Sequence, residues 1–366
     1  MINILHLDTE GGWGGSSISL FKIVNSINRK KFKSMVICRK SGPIVKKYNS
    51  IKIKVDENHD LYSFSAKAYI NNFKLFITTI PQFIFFFKGI LKLIKSVKKN
   101  NIDIIHLNFE GFFLVGLILK TFLALPIVVH FRSTIPLDSY AHKFISFIIV
   151  RYVASQIIFI SKTEQKKFFK IYPNFKKIKN EVIYNISSAK PFKKSVKKRK
   201  LVFIGNLSYW KGVDKLIPLA KKLNDKKIDL KIEIYGDTRG ENKFKQFLTD
   251  KLSSLKLNNI KLMGRVDNAE NIIKKAYLIL RPSRQNDPWG RDIIDACSAG
   301  VPIISSGKFN DIIVNNHNSF YVKDFEINKV VSLIMKLLNN KKKYFSFKKN
   351  LIKQSKKILN TKNNIN

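Results

Sequence analysis

Residues 281–300 read RPSRQNDPWGRDIIDACSAG, with Asp287 and Asp295 eight positions apart around Pro288, Trp289 and Gly290. Proline and glycine there suit the lead-in to a helix. Gly290 frees the backbone, so residues 290–292 can present N–H donors to a phosphate. Asp292 falls in the first turn, where its charge favours the helix dipole. Asp295 sits one turn further in. Helical side chains tilt toward the N-terminus, so its carboxylate can reach the vicinal hydroxyls of a ribose beside that phosphate. Asp287 lies in the preceding loop and is placed for the sugar end. Donors for phosphate flanked by acceptors for hydroxyls describe a nucleotide-sugar pocket.

Three further stretches carry chemistry. TEGGWGGSS (9–17) holds four glycines in five positions between a strand and a helix, more than an ordinary turn needs. Such a loop lets the backbone approach an anion at a helix N-terminus. It is not the G-x-G-x-x-G of a dinucleotide site. His106 ends IDIIHLN and His130 ends PIVVHF. Both are placed at carboxyl strand ends, where imidazole can bind sugar hydroxyls or carry protons, or simply serve the structure. FIGNLSYWKGVDKLI (203–217) ends a strand at Gly205 and presents Lys211 in a short loop, with a helix starting near Gly212. A lysine there suits diphosphate oxygens as a point charge.

The elements that must hold these residues alternate along the chain. Strands are predicted at 2–8, 34–39, 102–108, 126–131, 155–161, 200–207, 229–237, 259–266, 276–283 and 301–306, with helices at 16–28, 213–223 and 292–299 between them. Strands alternating with helices predict parallel βαβ units. A basic, Pro191-containing stretch at 186–200 reads as a linker, so the fold class is α/β, two doubly wound Rossmann-like domains facing a cleft. The expected boundaries are 1–190 for an acceptor-binding domain, 191–340 for a donor-binding domain and 341–366 for a basic helix or tail that frays. Ligands of such sheets bind at the carboxyl ends of the strands.

The chain of 366 residues carries 68 Lys and Arg against 25 Asp and Glu, a net charge of +43, with 45% hydrophobic residues. That apolar content excludes a disordered chain. The charge predicts attraction to polyanions, whether nucleic acid, anionic lipid or phosphorylated substrates. Cys38 and Cys297 stand alone, so neither a disulfide framework nor a cysteine zinc site is expected, and a reducing compartment fits. MINILHLD reads as a strand rather than a signal peptide. The apolar stretch 73–94 is broken by Lys74, Pro81, Lys88 and Lys92, and 111–129 by Lys120 and Pro126, which argues against spanning helices. Residues 83–99, FIFFFKGILKLIKSVKK, read as an amphipathic helix with aromatics on one side and lysines on the other. That pattern fits either a membrane surface or packing on the chain's own sheet.

With these residues in place, the chain resembles the family 4 (group 1) glycosyltransferases, the retaining class with the two-Rossmann GT-B fold. The family's Glu-x7-Glu motif, after a Pro-Ser strand end, reads here as Asp287-x7-Asp295. Its Gly-Arg-Leu-x3-Lys-Gly loop reads as GNLSYWKG (205–212), its N-terminal Gly-Gly as Gly14-Gly15, and its strand-end histidine as His130. NDIIVNNHNSFYV (310–322) is similar to the segment that follows, and the likeness covers roughly the whole chain. The resemblance implies that Lys211 holds a donor diphosphate, Asp295 the ribose and Asp287 the sugar. Trp289, Gly290 and Arg291 would offer backbone amides, and His130 would line the reaction centre. Both acids are one methylene shorter than the family's glutamates, and one extra residue separates Pro-Ser from the first acid. Asn206 stands where the family has a phosphate-binding arginine; Arg265, Arg281, Arg284 or Arg291 could replace that charge, Arg291 being favoured because it opens the helix.

The resulting expectation is a metal-independent, retaining hexosyltransferase that needs no cofactor and uses a nucleoside-diphosphate sugar as co-substrate. Its acceptor would be a lipid-linked sugar or growing surface polysaccharide, and its place cytoplasmic, at the inner face of an anionic membrane. The alternatives are a nucleotide-sugar epimerase on the same fold, an inactive scaffold, and a polyanion-binding protein. Nucleic acid is not an expected partner, because the lysines are scattered and no nucleic-acid module is recognisable.

Overall fold

The computed structural model describes residues 1–9, 12, 14–63, 73–132, 140–191, 199–238, 242–284, 290–306 and 312–359. The chain divides into two compact units, one over Met1–Tyr184 and one beginning at Asn185. The division falls ahead of the Pro191 stretch expected to hold it.

In the first unit the strands are β1 (Ile2–Asp8), β2 (Phe32–Cys38), β3 (Lys54–Glu57), β4 (Ile104–Leu107), β5 (Ile127–Phe131), β6 (Gln156–Phe159) and β7 (Asn180–Val182). They pair in the order β3-β2-β1-β4-β5-β6-β7, all parallel. The helices are α1 (Gly15–Ser26), α2 (Pro43–Ser50), α3 (Phe73–Lys99), α4 (Phe113–Leu123), α5 (Tyr140–Ile148) and α6 (Lys162–Ile171). A π-helical turn, Ile149–Val153, follows α5. Side chains alternate across the pleat, so Leu5, Leu7, Ile105 and Val129 pack under α3, α4 and α5. Val36 and Cys38 face the other way, under α1 and α2. Right-handed crossovers impose this division of helices between the two faces.

The second unit repeats the plan with β8 (Lys200–Ile204), β9 (Lys231–Tyr235), β10 (Ile260–Gly264), β11 (Leu278–Arg281), β12 (Ile303–Ser305) and β13 (Phe320–Tyr321). Their order is β10-β9-β8-β11-β12-β13, again all parallel. Its helices are α7 (Leu216–Asp225), α8 (Asn242–Ser254), α9 (Ala269–Ile273), α10 (Arg291–Ala299), α11 (Ile327–Asn339) and α12 (Lys341–Ile358). The predicted Rossmann-like pair of parallel sheets is therefore present.

One sequence expectation is sharpened and one is revised. The basic C-terminal segment is an ordered helix as far as Ile358, because Tyr344, Phe347 and Leu351 on α12 are buried and Cys297 donates to the Leu351 carbonyl. In α3 the aromatics do not gather on one side. Phe86, Ile90, Leu93 and Val97 form the buried stripe, while Ile84, Phe85, Phe87 and Leu91 are exposed among the lysines. Spacing of three and four residues fixes the stripe, and the apolar surplus of the helix falls outside it. Both cysteines are free and buried, and burial pushes their thiols up to about 12. Among the described residues no helix is long and apolar enough to cross a membrane.

Candidate functional site

In each sheet the strand order reverses beside the first strand, at β1/β4 and at β8/β11. Helices leave such a point toward opposite faces, which opens a crevice at the carboxyl ends. The chemistry-bearing loops of the sequence sit at these two places.

In the second unit, the loop after β8 is built on local geometry that helix periodicity does not reveal. Ser208 caps a short 3-10 turn, Tyr209–Lys211, and a second such turn, Val213–Lys215, precedes α7. Between them Gly212 adopts φ +68°, a left-handed conformation that interrupts the predicted helix start. A Cβ at Gly212 would collide with the Pro282 carbonyl. The loop carrying Lys211 is thus pressed onto the end of β11.

Arg284 ties the same two segments together. Its backbone N–H donates to the Trp210 carbonyl at 2.9 Å, and its Nη1 donates to the Tyr209 carbonyl at 2.6 Å. The guanidinium forks onto both Asp214 carboxylate oxygens at 2.7 and 2.6 Å and lies 3.9 Å from the centre of the Tyr209 ring. The Ser283 hydroxyl adds a bond to the Trp210 carbonyl at 3.3 Å. Lys211 is half-buried on this anchored turn, with Asn206 exposed at its start.

Across the crevice, α10 begins at Gly290, which contributes no side-chain cap. A Cβ at Gly290 would meet Asp292 and Arg281, which pair at 3.1 Å. Asp295 is 1% exposed. Its Oδ1 accepts from the Ser187 hydroxyl at 2.6 Å, and Arg291 Nη2, one turn earlier, lies 3.3 Å from both carboxylate oxygens. Arg291 also donates to Glu270 and to the Ile186 carbonyl, each at 3.3 Å, and Ser188 donates to Glu270 at 3.1 Å. Asp295 is thus met by a serine and an arginine. Of the four arginines considered as phosphate ligands, Arg281, Arg284 and Arg291 each carry a carboxylate partner. Asp287 and Trp289 lie outside the described residues.

At the corresponding reversal in the first unit, Asp8 ends β1 with 1% exposure and Asn108 follows β4 with none. Asn108 donates to Asp8 Oδ1 at 3.1 Å, as does the Thr9 amide at 2.9 Å. Arg132 in turn donates to Asn108 Oδ1 from Nε at 3.1 Å and from Nη2 at 2.7 Å, and its backbone N–H donates to Glu110. Burial pushes the Asp8 carboxyl up to about 6, against hydrogen bonds from Ser17, Asn108 and the Thr9 amide and the charge of Arg132. The sequence reading missed this network. Its only signal was one polar residue closing each apolar strand.

His6 and His106 bond through their Nδ1 atoms at 2.9 Å, and the second nitrogen of His6 lies 3.2 Å from the Ser34 hydroxyl. His106 is thus a buried strand residue in a histidine pair. His130 is 1% exposed beside it, with ring centres 5.7 Å apart. Burial holds all three imidazoles below the usual histidine range, so they are neutral at pH 7. Gly14 caps α1 and is buried, while a Cβ at Gly15 would meet nothing within 4 Å. No group of three or more potential metal ligands is found among the described residues.

Two family models match the chain. "Glycosyltransferase Family 4" matches residues 13–186 and "Glycosyl transferases group 1" matches residues 186–356. The chain belongs to the group 1 glycosyltransferases. CapH of Staphylococcus aureus, a capsular polysaccharide biosynthesis glycosyltransferase, is 24% identical over 95% of this chain and 93% of its own. A 2-deoxystreptamine N-acetyl-D-glucosaminyltransferase of Niallia circulans is 22% identical over 69% of this chain and 72% of its own. The fold matches that of Anabaena HepE in complex with UDP-glucose, with a TM-score of 0.80 at 18% identity over 99% of this chain and 97% of that one. S. aureus TarM, crystallised with UDP, gives 0.76 at 13% identity over 99% and 98%. These likenesses show that this group 1 glycosyltransferase has the GT-B type of fold.

Two outcomes follow from the geometry. Arg284→Lys keeps the charge but loses the fork, and is expected to destabilise the second unit by about 1–3 kcal/mol. Asp214→Asn should add little further in a double-mutant cycle read by urea unfolding. A lysine variant as stable as the wild type would show that the fork contributes nothing. The second outcome concerns Asp8, whose carboxyl is raised from 3.8 to about 6 on folding. The folded state then binds the proton more tightly, so stability falls as pH rises from about 4 to 6, by about 3 kcal/mol in total. Asp8→Asn should flatten that segment of the stability–pH curve, and an unchanged slope would contradict the assignment.

Proposed function

We propose that the chain transfers a hexose from a nucleoside-diphosphate sugar to a lipid-linked or surface-polysaccharide acceptor, with retention at the anomeric carbon. The observation that carries the reading is the anchoring of the Lys211 turn against the end of β11, beside the start of α10. In this reading the donor belongs to the second unit. The leaving diphosphate gathers negative charge as the glycosidic bond opens. Lys211 and the N-terminal amides of α10 stabilise that charge without reorganising, which lowers the barrier. The same groups are proposed to serve in place of a metal, and no further cofactor is invoked. Asp295, held by Ser187 and Arg291, accepts from the ribose hydroxyls, and Asp287 accepts from the sugar. The acceptor is assigned to the first unit, and the family resemblance gives His130 a part in the reaction.

CapH and the UDP-glucose complex of HepE support a polysaccharide product and a uridine donor. Retention rests on the resemblance to the family's paired-acid motif. A lipid-linked acceptor would place the protein at the cytoplasmic face of a membrane.

The test is thermal-shift melting against UDP-, GDP-, ADP- and dTDP-sugars. A donor at a hundred times its dissociation constant adds about 2.7 kcal/mol of stability. One sugar nucleotide, a UDP-sugar first, is expected to raise the melting temperature, and Lys211→Ala and Asp295→Asn are expected to lose the shift. No shift with any of them would favour an inactive scaffold. Appearance of an isomerised free nucleotide sugar without acceptor would favour an epimerase, and an inverted product linkage would remove retention.

A further inference from the structure

The strongest feature outside the donor crevice is the outer side of the helix layer on the first unit. We infer that the exposed faces of α3 and α5 form a docking surface for an anionic lipid bilayer. This rests on surface chemistry and not on the transfer reaction.

On α3, Phe86, Ile90, Leu93 and Val97 are spent on the core. The opposite face carries Ile84 at 75%, Phe87 at 57% and Leu91 at 61% exposure. Lys88 and Lys95 stand on the same face, and Lys98 and Lys99 continue it, all exposed. On α5, Tyr140 is 85%, Phe144 61% and Phe147 41% exposed. Lys143 lies 5.3 Å from the Tyr140 ring centre. Both helices cover one sheet face, since Leu93 and Ile145 belong to the same core. Apart from Met1, Ile2, Phe122 on α4 and Tyr152 in the π-helical turn, every exposed large apolar side chain described in the first unit lies on these two helices. Residues 84–99 and 140–153 contain no Asp or Glu.

Single exposed apolar residues are ordinary on a protein surface, but a helix layer that gathers them marks an interaction face. The chemistry selects the partner. Aromatic and aliphatic side chains interleaved with lysines match the headgroup region, where rings enter the acyl boundary and lysine stems reach back to phosphates. A nucleic acid would satisfy the lysines and leave Ile84 and Leu91 in water. A two-fold contact with a second copy would set this basic face against itself, with no carboxylate on either helix to offset the repulsion.

The test is co-sedimentation of the full chain with vesicles of equal parts phosphatidylcholine and phosphatidylglycerol, beside pure phosphatidylcholine vesicles. The protein is expected to pellet with the anionic vesicles and to be released by salt. Combining Lys88→Ala, Lys95→Ala and Lys98→Ala should weaken partitioning about a hundredfold. Phe87→Ser with Phe144→Ser should weaken it about tenfold or more. Lys221→Ala, Lys226→Ala and Lys227→Ala on the second unit are expected to leave it unchanged. All variants should keep the wild-type circular dichroism spectrum, because each changed side chain is exposed. The inference is overturned if the wild type stays in the supernatant, or if the second-unit lysines matter as much as those of α3. It is equally overturned if the serine variants partition normally, or if they dissociate a dimer without affecting vesicle binding. Donor-induced melting shifts are read on the same variants without vesicles, so failure of docking and failure of the transferase reading remain separate results.

Discussion

The reversal of strand order between β8 and β11 is the constraint on which the second unit's chemistry depends. Adjacent parallel strands whose helices leave toward opposite faces cannot close the space at their carboxyl ends, so loops must line it. Here those loops are pinned together. Gly212 lies against Pro282 with no room for a side chain, and Arg284 fixes the Tyr209–Asp214 turn with a carboxylate fork, a carbonyl and a ring face. A lysine on a free loop would lose side-chain and backbone entropy on meeting a diphosphate. On this turn the backbone share is already paid at folding.

The same constraint orders the first unit, where Asp8 and Asn108 close the strands on either side of the β1/β4 reversal. In the second unit three arginines are matched to carboxylates. In the first, the buried Asp8 carboxylate accepts from Asn108 and the Thr9 amide, and Arg132 donates to Asn108. Ser187 and Arg291 contact the Asp295 oxygens, tying the first residues of the second unit to the start of α10.

Much of this was legible in the sequence, because strands buried on both faces are continuous apolar runs and glycine marks backbone that no other residue can follow. INILHLD, PIVVHF and KLVFI read as strands for that reason. β3, β7 and β13 did not: they are edge strands of four, three and two residues, too short for a pattern to show, and β3 and β7 carry one apolar residue each. The helix expected from residue 213 begins at Leu216, because the left-handed Gly212 separates two 3-10 turns. Lys211, Gly290 and Asp295 were singled out by type and spacing. The pairings that hold these segments were not, because Asp214 lies 70 residues from Arg284 and Ser187 lies 108 from Asp295. Pairings at that range follow from the tertiary fold, which local pattern does not encode.

The central claim is that the pinned Lys211 turn and the start of α10 together receive the diphosphate of a sugar nucleotide. Hydrogen–deuterium exchange on the full chain, with and without a saturating UDP-sugar, reads this directly. The account predicts added protection concentrated in peptides covering 205–212 and 290–295, with the helix layer at 84–99 unchanged. Bound nucleotide with protection elsewhere and none in those two peptides would contradict it.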